Sequence, residues 1–400
     1  MDRRRELRMF TYVATDERFR YEGAPGLRRR NDGTVEVRRI PETYWHQFPS
    51  EVMKLVCDTS AGARIRFRTS ATRIEVQFSA HQIATVGSGF PHMGMQLIRG
   101  DRVSSYSGQP PLASLDPGDR SVVYDPPRDE VAVFDNLGGV EDDVELLLPN
   151  GAVVNILGFR ADAEIVASAT EPGPHWIHYG SSISHCSSML EPLSSWPVVA
   201  ARRLGLSLCN LGFAGNAMLD PFVARTIRDA PADVITLKIG INLINSDAMT
   251  LRAFGPALHG FLDTIREGHP TTPVLLVSPI ACSAVEELPG PTIVDASTGT
   301  TSVVPIDDVR GTAALTQSRI RTLMEQIVKS RNSIDAQLTY LDGRSLFSEA
   351  DEASGHLSDG LHPDLVGNQI MGERFVAMFR DRRVLKRTPA SQSRPSRSPG

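Results

Sequence analysis

The chain has 400 residues, of which 41% are apolar, and a formal net charge of −5. These values are typical of a globular protein of two or three domains, and they give no electrostatic reason to expect nucleic acid or an anionic membrane as a partner. No apolar run is long enough to span a membrane, and none follows the charged N-terminus as it does in a secretory signal, so we expect a cytoplasmic protein.

The first 170 residues carry the pattern of a β-sandwich. Residues 1 to about 50 show no regular pattern and are predicted to be irregular. Residues 64–68 and 73–78 then alternate polar and apolar side chains, as antiparallel strands with one solvent-exposed face do. Shorter strands are predicted at 95–98 and 131–134.

An asparagine–glycine pair marks a turn late in this region. Residues 144–148 and 152–157 are apolar runs on either side of Pro149-Asn150-Gly151. Because asparagine and glycine accept the positive φ of tight turns, this pattern predicts a β-hairpin. We predict that residues 1–170 form an N-terminal β-sandwich domain.

The pattern changes near Glu171-Pro172-Gly173-Pro174, which we interpret as a linker. Beyond it, short apolar runs alternate with segments of helical periodicity. The predicted strands are 175–180, 206–211, 233–239, 273–278 and 338–342, and the predicted helices are 194–205, 220–230, 250–268, 310–331 and 364–382. This alternation predicts an α/β domain at residues 171–385, in which a parallel sheet is covered on both faces and ligands bind at the carboxyl ends of the strands.

Two later segments lack this alternation. Residues 282 to about 309 are rich in Thr, Ser, Gly and Pro, and a loop of this length in a compact domain is often functional. Two interpretations are open for it, a lid or pocket wall over the site and a plain surface loop. The tail at residues 386–400 is mostly Arg, Ser and Pro and is predicted to be disordered.

The cysteines are too far apart in sequence for a zinc site or a small disulfide framework. They are Cys57, Cys186, Cys209 and Cys282. We therefore expect free thiols in a reducing compartment. No P-loop, dinucleotide fingerprint or metal-ligand cluster is present in the sequence, so we predict neither a cofactor nor a metal.

The stretch from Trp176 to Ser184 predicts a buried strand that turns sharply into a helix, with Ser182 exposed at the turn. A serine hydroxyl becomes a good nucleophile only when a base lies against it. His362 is the best candidate base, because Asp359 lies only three residues earlier. One loop turn can then place the carboxylate on Nδ1 and leave Nε2 facing Ser182.

Acyl transfer from a serine also creates an oxyanion, which needs hydrogen-bond donors. Three donors are predicted: the backbone N–H of Ser182, the backbone N–H of Gly215 and the side-chain amide of Asn242. Gly215 and Asn242 each follow a predicted strand, and a glycine lets the backbone approach a substrate closely. The Gly-x-Ser-x-Gly elbow of α/β-hydrolases is absent, because Gly180-Ser181-Ser182-Ile183-Ser184 lacks the final glycine.

The nearby histidines and Cys186 are poorer candidates for the base and the nucleophile. His356 lacks the context of His362 and is predicted to lie on the surface. His178 and His185 flank the serine turn, and for His185 a contact with substrate stays open beside a packing role. Cys186 is predicted to lie inside the following helix, without oxyanion donors, and to be structural.

Together these residues resemble the SGNH, or GDSL-type, hydrolase family. Its Ser, Gly, Asn and His blocks match Ser182, Gly215, Asn242 and His362, with Asp359 as the acid, over roughly residues 175–383. The longer strings around these positions resemble a two-domain bacterial subgroup, which includes a salicylyl acyltransferase of tetracycline-type polyketide biosynthesis. The resemblance implies a flavodoxin-like catalytic domain behind a β-sandwich similar to carbohydrate-binding modules.

One position departs from the family pattern. The usual Gly-Asp-Ser is Gly180-Ser181-Ser182 here, so a charge beside the nucleophile is missing while every triad member is kept.

We therefore expect a serine acyltransferase that moves an acyl group from a thioester such as acyl-CoA, as a substrate, to a hydroxyl of a small natural product. An esterase or carbohydrate deacetylase is the alternative within the same chemistry. A noncatalytic carbohydrate-binding protein is the alternative from another class. The partners expected are the small-molecule acyl donor and the hydroxyl acceptor; the sequence does not predict an oligomeric state.

Overall fold

The structure is a computed structural model. It describes residues 9–382 and 384, apart from 86–90, 117–118, 295–299, 305–310 and 358. The predicted disordered tail at residues 386–400 lies outside the described residues. Within the described ranges, no helix combines the length and apolar character needed to cross a membrane.

The described residues before position 170 form strands, one α-helix and a 3-10 helix at Glu42–Gln47. The strands are β1 (Phe10–Val13), β2 (Arg20–Glu22), β3 (Arg28–Arg29), β4 (Val35–Val37), β5 (Arg64–Thr69), β6 (Ile74–Thr85), β7 (Met93–Arg99), β8 (Arg102–Gly108), β9 (Leu112–Leu115), β10 (Val122–Tyr124), β11 (Asp129–Phe134), β12 (Asp142–Leu147), β13 (Ala152–Ala161) and β14 (Ile165–Val166). The helix is α1 (Glu51–Asp58), whose N-cap Ser50 accepts the N–H of Met53.

These strands form two facing sheets. One runs β10-β9-β6-β13-β4-β3, with β1 on β13 and β11 on β6, and the other runs β14-β5-β12-β7-β8, with β2 on β5. Strand β6 buries every second side chain, as its alternating sequence predicts. Phe19, Phe67 and Phe159 lie between the sheets, and the rings of Phe19 and Phe159 stack at 4.0 Å.

Two predictions for this region are wrong. Residues 10–37 are not irregular, because β1 to β4 lie there; strands of two to four residues are too short to show a period of two. The predicted hairpin at Asn150-Gly151 does not form either. Strand β12 pairs with β5 and β7, whereas β13 pairs with β6, so the turn crosses from one sheet to the other.

The described residues after position 170 alternate strands and helices. The strands are β15 (His175–Gly180), β16 (Ser207–Gly212), β17 (Val234–Lys238), β18 (Val274–Val277), β19 (Thr292–Val294), β20 (Thr301–Val303) and β21 (Leu338–Leu341). The helices are α2 (Ser182–His185), α3 (Trp196–Leu204), α4 (Pro221–Asp229), α5 (Ile241–Asn245), α6 (Leu251–Gly268), α7 (Gln317–Arg331), α8 (Glu349–Ala353) and α9 (Leu365–Asp381).

Five of these strands form a parallel sheet in the order β16-β15-β17-β18-β21. Alternate side chains of β15 face opposite layers. Trp176 stacks on Phe375 of α9 at 4.9 Å, and Tyr179 stacks on Phe261 of α6 at 5.4 Å. The result is the predicted three-layer α/β/α arrangement. The next strand along the chain, β16, lies on one side of β15, and the later strands lie on its other side. Such a switch in strand order is where ligands bind in open parallel sheets.

The loop predicted at 282–309 contains regular structure. Strands β19 and β20 form a hairpin, with Thr292 opposite Val303. Helix α7 begins at Gln317 rather than near 310, because Thr316 caps it by accepting the N–H of Arg319. Between residue 310 and Thr316 the described residues form only a short 3-10 helix, Gly311–Ala313, which is separate from α7.

The two halves of the chain share a hydrophobic core. Met53, Val56 and Cys57 of α1 belong to the same buried cluster as Trp176 and Phe213. A boundary near residue 170 separates the sheets but not the cores, so the domain limits 1–170 and 171–385 stay a prediction.

Candidate active site

Ser182 lies at the sharp turn between β15 and α2. Ser181 is the N-cap of α2: its side chain accepts the N–H of Ile183 at 3.4 Å, and its backbone oxygen accepts the N–H of Ser184. A Cβ at Gly180 would lie only 2.5 Å from Oγ of Ser184, so glycine is required by close packing. The predicted strand–turn–helix is present, and it leaves Ser182 half-buried.

The structure brings Ser182, His362 and Asp359 into one hydrogen-bonded chain. Oγ of Ser182 lies 2.8 Å from Nε2 of His362, and Nδ1 of His362 lies 2.6 Å from Oδ2 of Asp359. An ionised carboxylate can only accept, so Nδ1 carries the proton and Nε2 is free to accept the serine hydroxyl. This arrangement can activate a serine as a nucleophile.

Asp359 is held in the ionised form. Burial of the carboxyl opposes ionisation, but the hydrogen bond and charge of His362 and the N–H groups of His362 and Leu361 lower the pKa of Asp359 to about 2. Its Oδ1 accepts those N–H groups at 2.6 and 2.9 Å. The carboxylate is therefore charged at neutral pH.

The loop after β16 carries Gly215, and β16 pairs with β15, the strand that precedes this serine. Gly180 and Gly212 are in register at the ends of β15 and β16, and the N–H of Phe213 donates to the oxygen of Gly180 at 2.8 Å. Gly215 has a φ of +68°, which explains why the position is a glycine. A Cβ there would meet nothing within 4 Å, and the Gly215 N–H has no partner among the described residues.

Asn242 lies on the other side of the serine, at the start of α5 after β17. Its side chain is 2% exposed, and its Oδ1 accepts the N–H of Ala217 at 3.0 Å. That bond fixes the orientation of the amide and leaves Nδ2 without a partner within the described ranges. The amides of Gly215 and Asn242 are thus both free to donate at the edge of the sheet that carries Ser182.

The β19–β20 hairpin contacts Asp359, the acid of the Ser182–His362–Asp359 chain. The N–H of Thr301 donates to the backbone oxygen of Asp359 at 2.7 Å. Ile293 of the same hairpin is 53% exposed. The hairpin therefore holds the loop that carries Asp359, while its role as a pocket wall stays a prediction.

His178 and Cys186 are packing residues in this structure. Cys186 ends α2 with a φ of +53° instead of lying inside a helix, and burial raises the pKa of its thiol to about 12. His178 is fully buried between Thr236 and Ser184, with its ring nitrogens 2.6 and 2.7 Å from their hydroxyls. Burial, together with the Lys238 ammonium, lowers the pKa of His178 to about 3.

We expect the neutral His178 to make folding sensitive to acid. Its pKa in the folded chain lies below the ordinary value of about 6.5, so between pH 6.5 and 3 only the unfolded chain takes up its proton. The free energy of unfolding should then fall as the pH drops through this window, by about 1.4 kcal/mol per pH unit from this group. Urea unfolding at pH 7, 6, 5 and 4 should show a shallower fall for His178→Gln, and equal slopes would contradict the assignment.

His185 is fully buried and does not contact open space. Its Nδ1 accepts the N–H of Ala214 at 3.3 Å, and its Nε2 lies 2.9 Å from the backbone oxygen of Asn150. The packing interpretation of His185 is therefore the one that the geometry supports. Arg39, which contacts the same Thr59 hydroxyl as His185, could not be found from the sequence, because it belongs to a segment without any recognisable pattern.

His356 forms a second, separate pair with a carboxylate. Its Nδ1 lies 3.1 Å from Oδ2 of Asp364, the N-cap of α9. It is partly exposed.

Comparison with known proteins identifies relatives of this arrangement. Residues 175–288 match the GDSL-like Lipase/Acylhydrolase family. The structure is similar to a salicylyl-acyltransferase, SsfX3, from a tetracycline biosynthetic pathway, with 25% identity, a TM-score of 0.77 and coverage of 94% of this chain and 98% of that one. A comparison with curated protein sequences finds no match.

Two further structures share the fold. A Bacteroides ovatus protein described as GDSL-like is 18% identical with a TM-score of 0.66, and a family two carbohydrate esterase from Cellvibrio japonicus is 11% identical with a TM-score of 0.57. In both cases 94% of this chain and 98% of the other are covered.

Proposed function

We propose that this chain, a two-domain enzyme of the SGNH/GDSL type that catalyses acyl transfer or ester hydrolysis, moves an acyl group from a thioester such as acyl-CoA to a hydroxyl of a small natural product. The acyl-CoA is a substrate in this proposal, not a resident cofactor. The observation that carries the proposal is the hydrogen-bonded chain Ser182–His362–Asp359, with distances of 2.8 and 2.6 Å.

The first half-reaction forms an acyl-enzyme. Oγ of Ser182 attacks the thioester carbonyl while Nε2 of His362 takes its proton, and Asp359 stabilises the imidazolium. The tetrahedral oxyanion is held by the N–H of Ser182, the N–H of Gly215 and Nδ2 of Asn242. Its collapse breaks the C–S bond, and His362 gives the proton to the leaving thiolate.

The second half-reaction resolves the acyl-enzyme by the same steps in reverse order. His362 takes a proton from the acceptor hydroxyl, which attacks the acyl carbonyl. Collapse of this second intermediate breaks the bond between the acyl carbon and Oγ, and His362 returns the proton to Oγ of Ser182. Water in place of that hydroxyl gives hydrolysis. A transferase must bind its acceptor well enough to outcompete water.

The similarity to SsfX3 over 94% of the chain favours transfer, because that protein is a salicylyl-acyltransferase. One observation favours hydrolysis as the second candidate. The side chains of His362 and Asp359 are 40% and 36% exposed, so water reaches the site when no acceptor is bound. The two candidates therefore differ in what occupies the space above His362 during the second half-reaction.

Product analysis separates these candidates. We expect an aryl thioester alone to be turned over slowly to the free acid and thiol. Addition of polycyclic or glycosidic alcohols should convert most of the product to ester and raise the rate of thiol release. A matched series with an acetylated sugar tests the deacetylase alternative.

The ratio of ester to free acid in the product decides between transferase and hydrolase. Ester at a constant fraction below one tenth of the product, whatever alcohol is added, would contradict transfer to those acceptors and favour the hydrolase. Ser182→Ala run in parallel should give neither product, which assigns both reactions to the same serine.

A further inference from the structure

Arg39 is a completely buried cation that forms no ion pair within the described ranges. All its donors instead reach neutral oxygens. Nε donates to the backbone oxygen of Thr59 at 2.8 Å, and Nη2 donates to Oγ1 of Thr59 at 2.7 Å and to the oxygen of Val56. Burial lowers the pKa of Arg39 to about 10, so it stays protonated at neutral pH. A buried charge is retained at such a cost only where its hydrogen bonds are satisfied.

The remaining donors of Arg39 cross to the other half of the chain. Nη1 donates to the backbone oxygens of Asn210 and Gly212, at 3.0 and 2.6 Å. Both oxygens belong to the last residues of β16, and Gly215 follows three residues later. The guanidinium also lies 4.8 Å from the ring centre of Phe213, the residue between the strand and the glycine turn.

His185 holds the same loop from the other side. It accepts the N–H of Ala214, the residue directly before Gly215, and its Nε2 lies 2.9 Å from both the oxygen of Asn150 and Oγ1 of Thr59. Because Nδ1 accepts, Nε2 carries the proton and donates to Asn150. Thr59 thus joins Arg39 and His185 in one network.

We infer that Arg39 and His185 are positioning residues for the oxyanion donor at Gly215, through which the N-terminal half of the chain sets the rate of acyl transfer. This inference rests on the proposed function, in which the Gly215 N–H stabilises the oxyanion.

The positions of the two anchors support this role. The oxygen of Gly212 is held by Arg39 and the N–H of Ala214 by His185, so the two peptide groups that precede the Ala214–Gly215 peptide are fixed. The oxygen of that last peptide accepts the side-chain amide of Asn216 at 2.6 Å. The Gly215 N–H is the next amide along the chain, and the loop itself is exposed there. An oxyanion donor acts only when its direction is fixed before the reaction, and a shift of about 1 Å can cost about 100-fold in rate.

The chain offers a control in Arg64, which differs from Arg39 in its ion pair with Glu22 at 2.7 Å. It is also buried, at 4% exposure, and it also donates across the halves to β16, with Nη1 2.8 Å from the oxygen of Leu208. Leu208 lies near the start of β16, at the end of the strand remote from Gly215. Removing either guanidinium therefore loses a buried contact between the halves of the chain. Only Arg39 contacts the end of β16 from which the glycine loop begins.

We expect Arg39→Met to lower kcat about 100-fold with little change in KM, and Arg64→Met to lower thermal stability while kcat stays within three-fold. The inhibition constant of an arylboronic acid, which forms a tetrahedral adduct on the serine, should rise with the loss in kcat. Equal effects of the two substitutions on kcat would overturn the inference. If Arg39→Met does not fold, Arg39→Lys, which keeps the charge, replaces it in the same comparison of kcat with Arg64→Met.

A second pair of variants tests the loop contact alone. At position 185, asparagine presents an acceptor where Nδ1 lies, and glutamine presents a donor where Nε2 lies. His185→Asn should therefore keep the bond to the Ala214 N–H and retain at least ten-fold more kcat than His185→Gln. A higher kcat for His185→Gln than for His185→Asn would show that the contact with Asn150, and not the bond to Ala214, determines the rate.

These outcomes are separate from those of the proposed function. If Ser182→Ala is inactive and Arg39→Met behaves like Arg64→Met, acyl transfer stands and the positioning role fails. If Ser182→Ala keeps its activity, the proposed function fails first.

Discussion

Ser182→Ala should lower kcat by about a million-fold and leave the fold intact. The hydroxyl is the only group of the triad that bonds to the acyl carbon, and alanine removes it without adding volume at a half-buried turn. Turnover of an aryl thioester and labelling by a serine-directed fluorophosphonate should disappear together. Circular dichroism and the unfolding midpoint should match those of the parent.

The neighbouring Ser181 provides the control. It is completely buried and acts on the helix, because its side chain accepts the N–H of Ile183. Ser181→Ala should lose about 1 kcal/mol of stability through the missing cap and should still be labelled at Ser182. Undiminished turnover in Ser182→Ala would require a different nucleophile. So would loss of fluorophosphonate labelling in Ser181→Ala but not in Ser182→Ala.

The positions of the reacting groups could be predicted because each lies at the end of an element with a strong local signal. Ser182, Gly215 and Asn242 follow buried strands, and parallel strands bring their carboxyl ends to one edge. His362 and Asp359 lie three residues apart, which already suggested a single turn. For these residues local sequence was enough to place them at the same edge of the sheet.

The N-terminal half was predicted less well for a physical reason. The turn at Asn150-Gly151 looks like a hairpin locally, but which sheet β13 joins depends on packing against β6, far away in sequence. Likewise the importance of Arg39 arises only when Asn210 and Gly212 are brought to it from the other half of the chain. Contacts of that kind leave no periodicity in either segment.

Asp359→Asn tests how His362 is oriented. The present carboxylate accepts from Nδ1 at 2.6 Å and so leaves Nε2 as the base facing Ser182. An asparagine amide can instead donate to Nδ1, which moves the proton to Nε2 and removes the base. We expect kcat to fall about 10,000-fold with KM little changed, measured at neutral pH with the aryl thioester.

The pair His356–Asp364 makes this prediction specific. Asp364 also binds a histidine Nδ1, at 3.1 Å, and its Oδ1 caps α9 by accepting the N–H of Gly367 at 2.7 Å. Asparagine is an equally good N-cap, so Asp364→Asn should keep both stability and kcat within a few-fold. If Asp359→Asn were as mild as this control, another residue would have to orient His362. A severe loss of kcat in Asp359→Asn alone would mean that the 2.6 Å bond between Asp359 and His362 keeps the proton on Nδ1. Nε2 is then free to act as the base for Ser182.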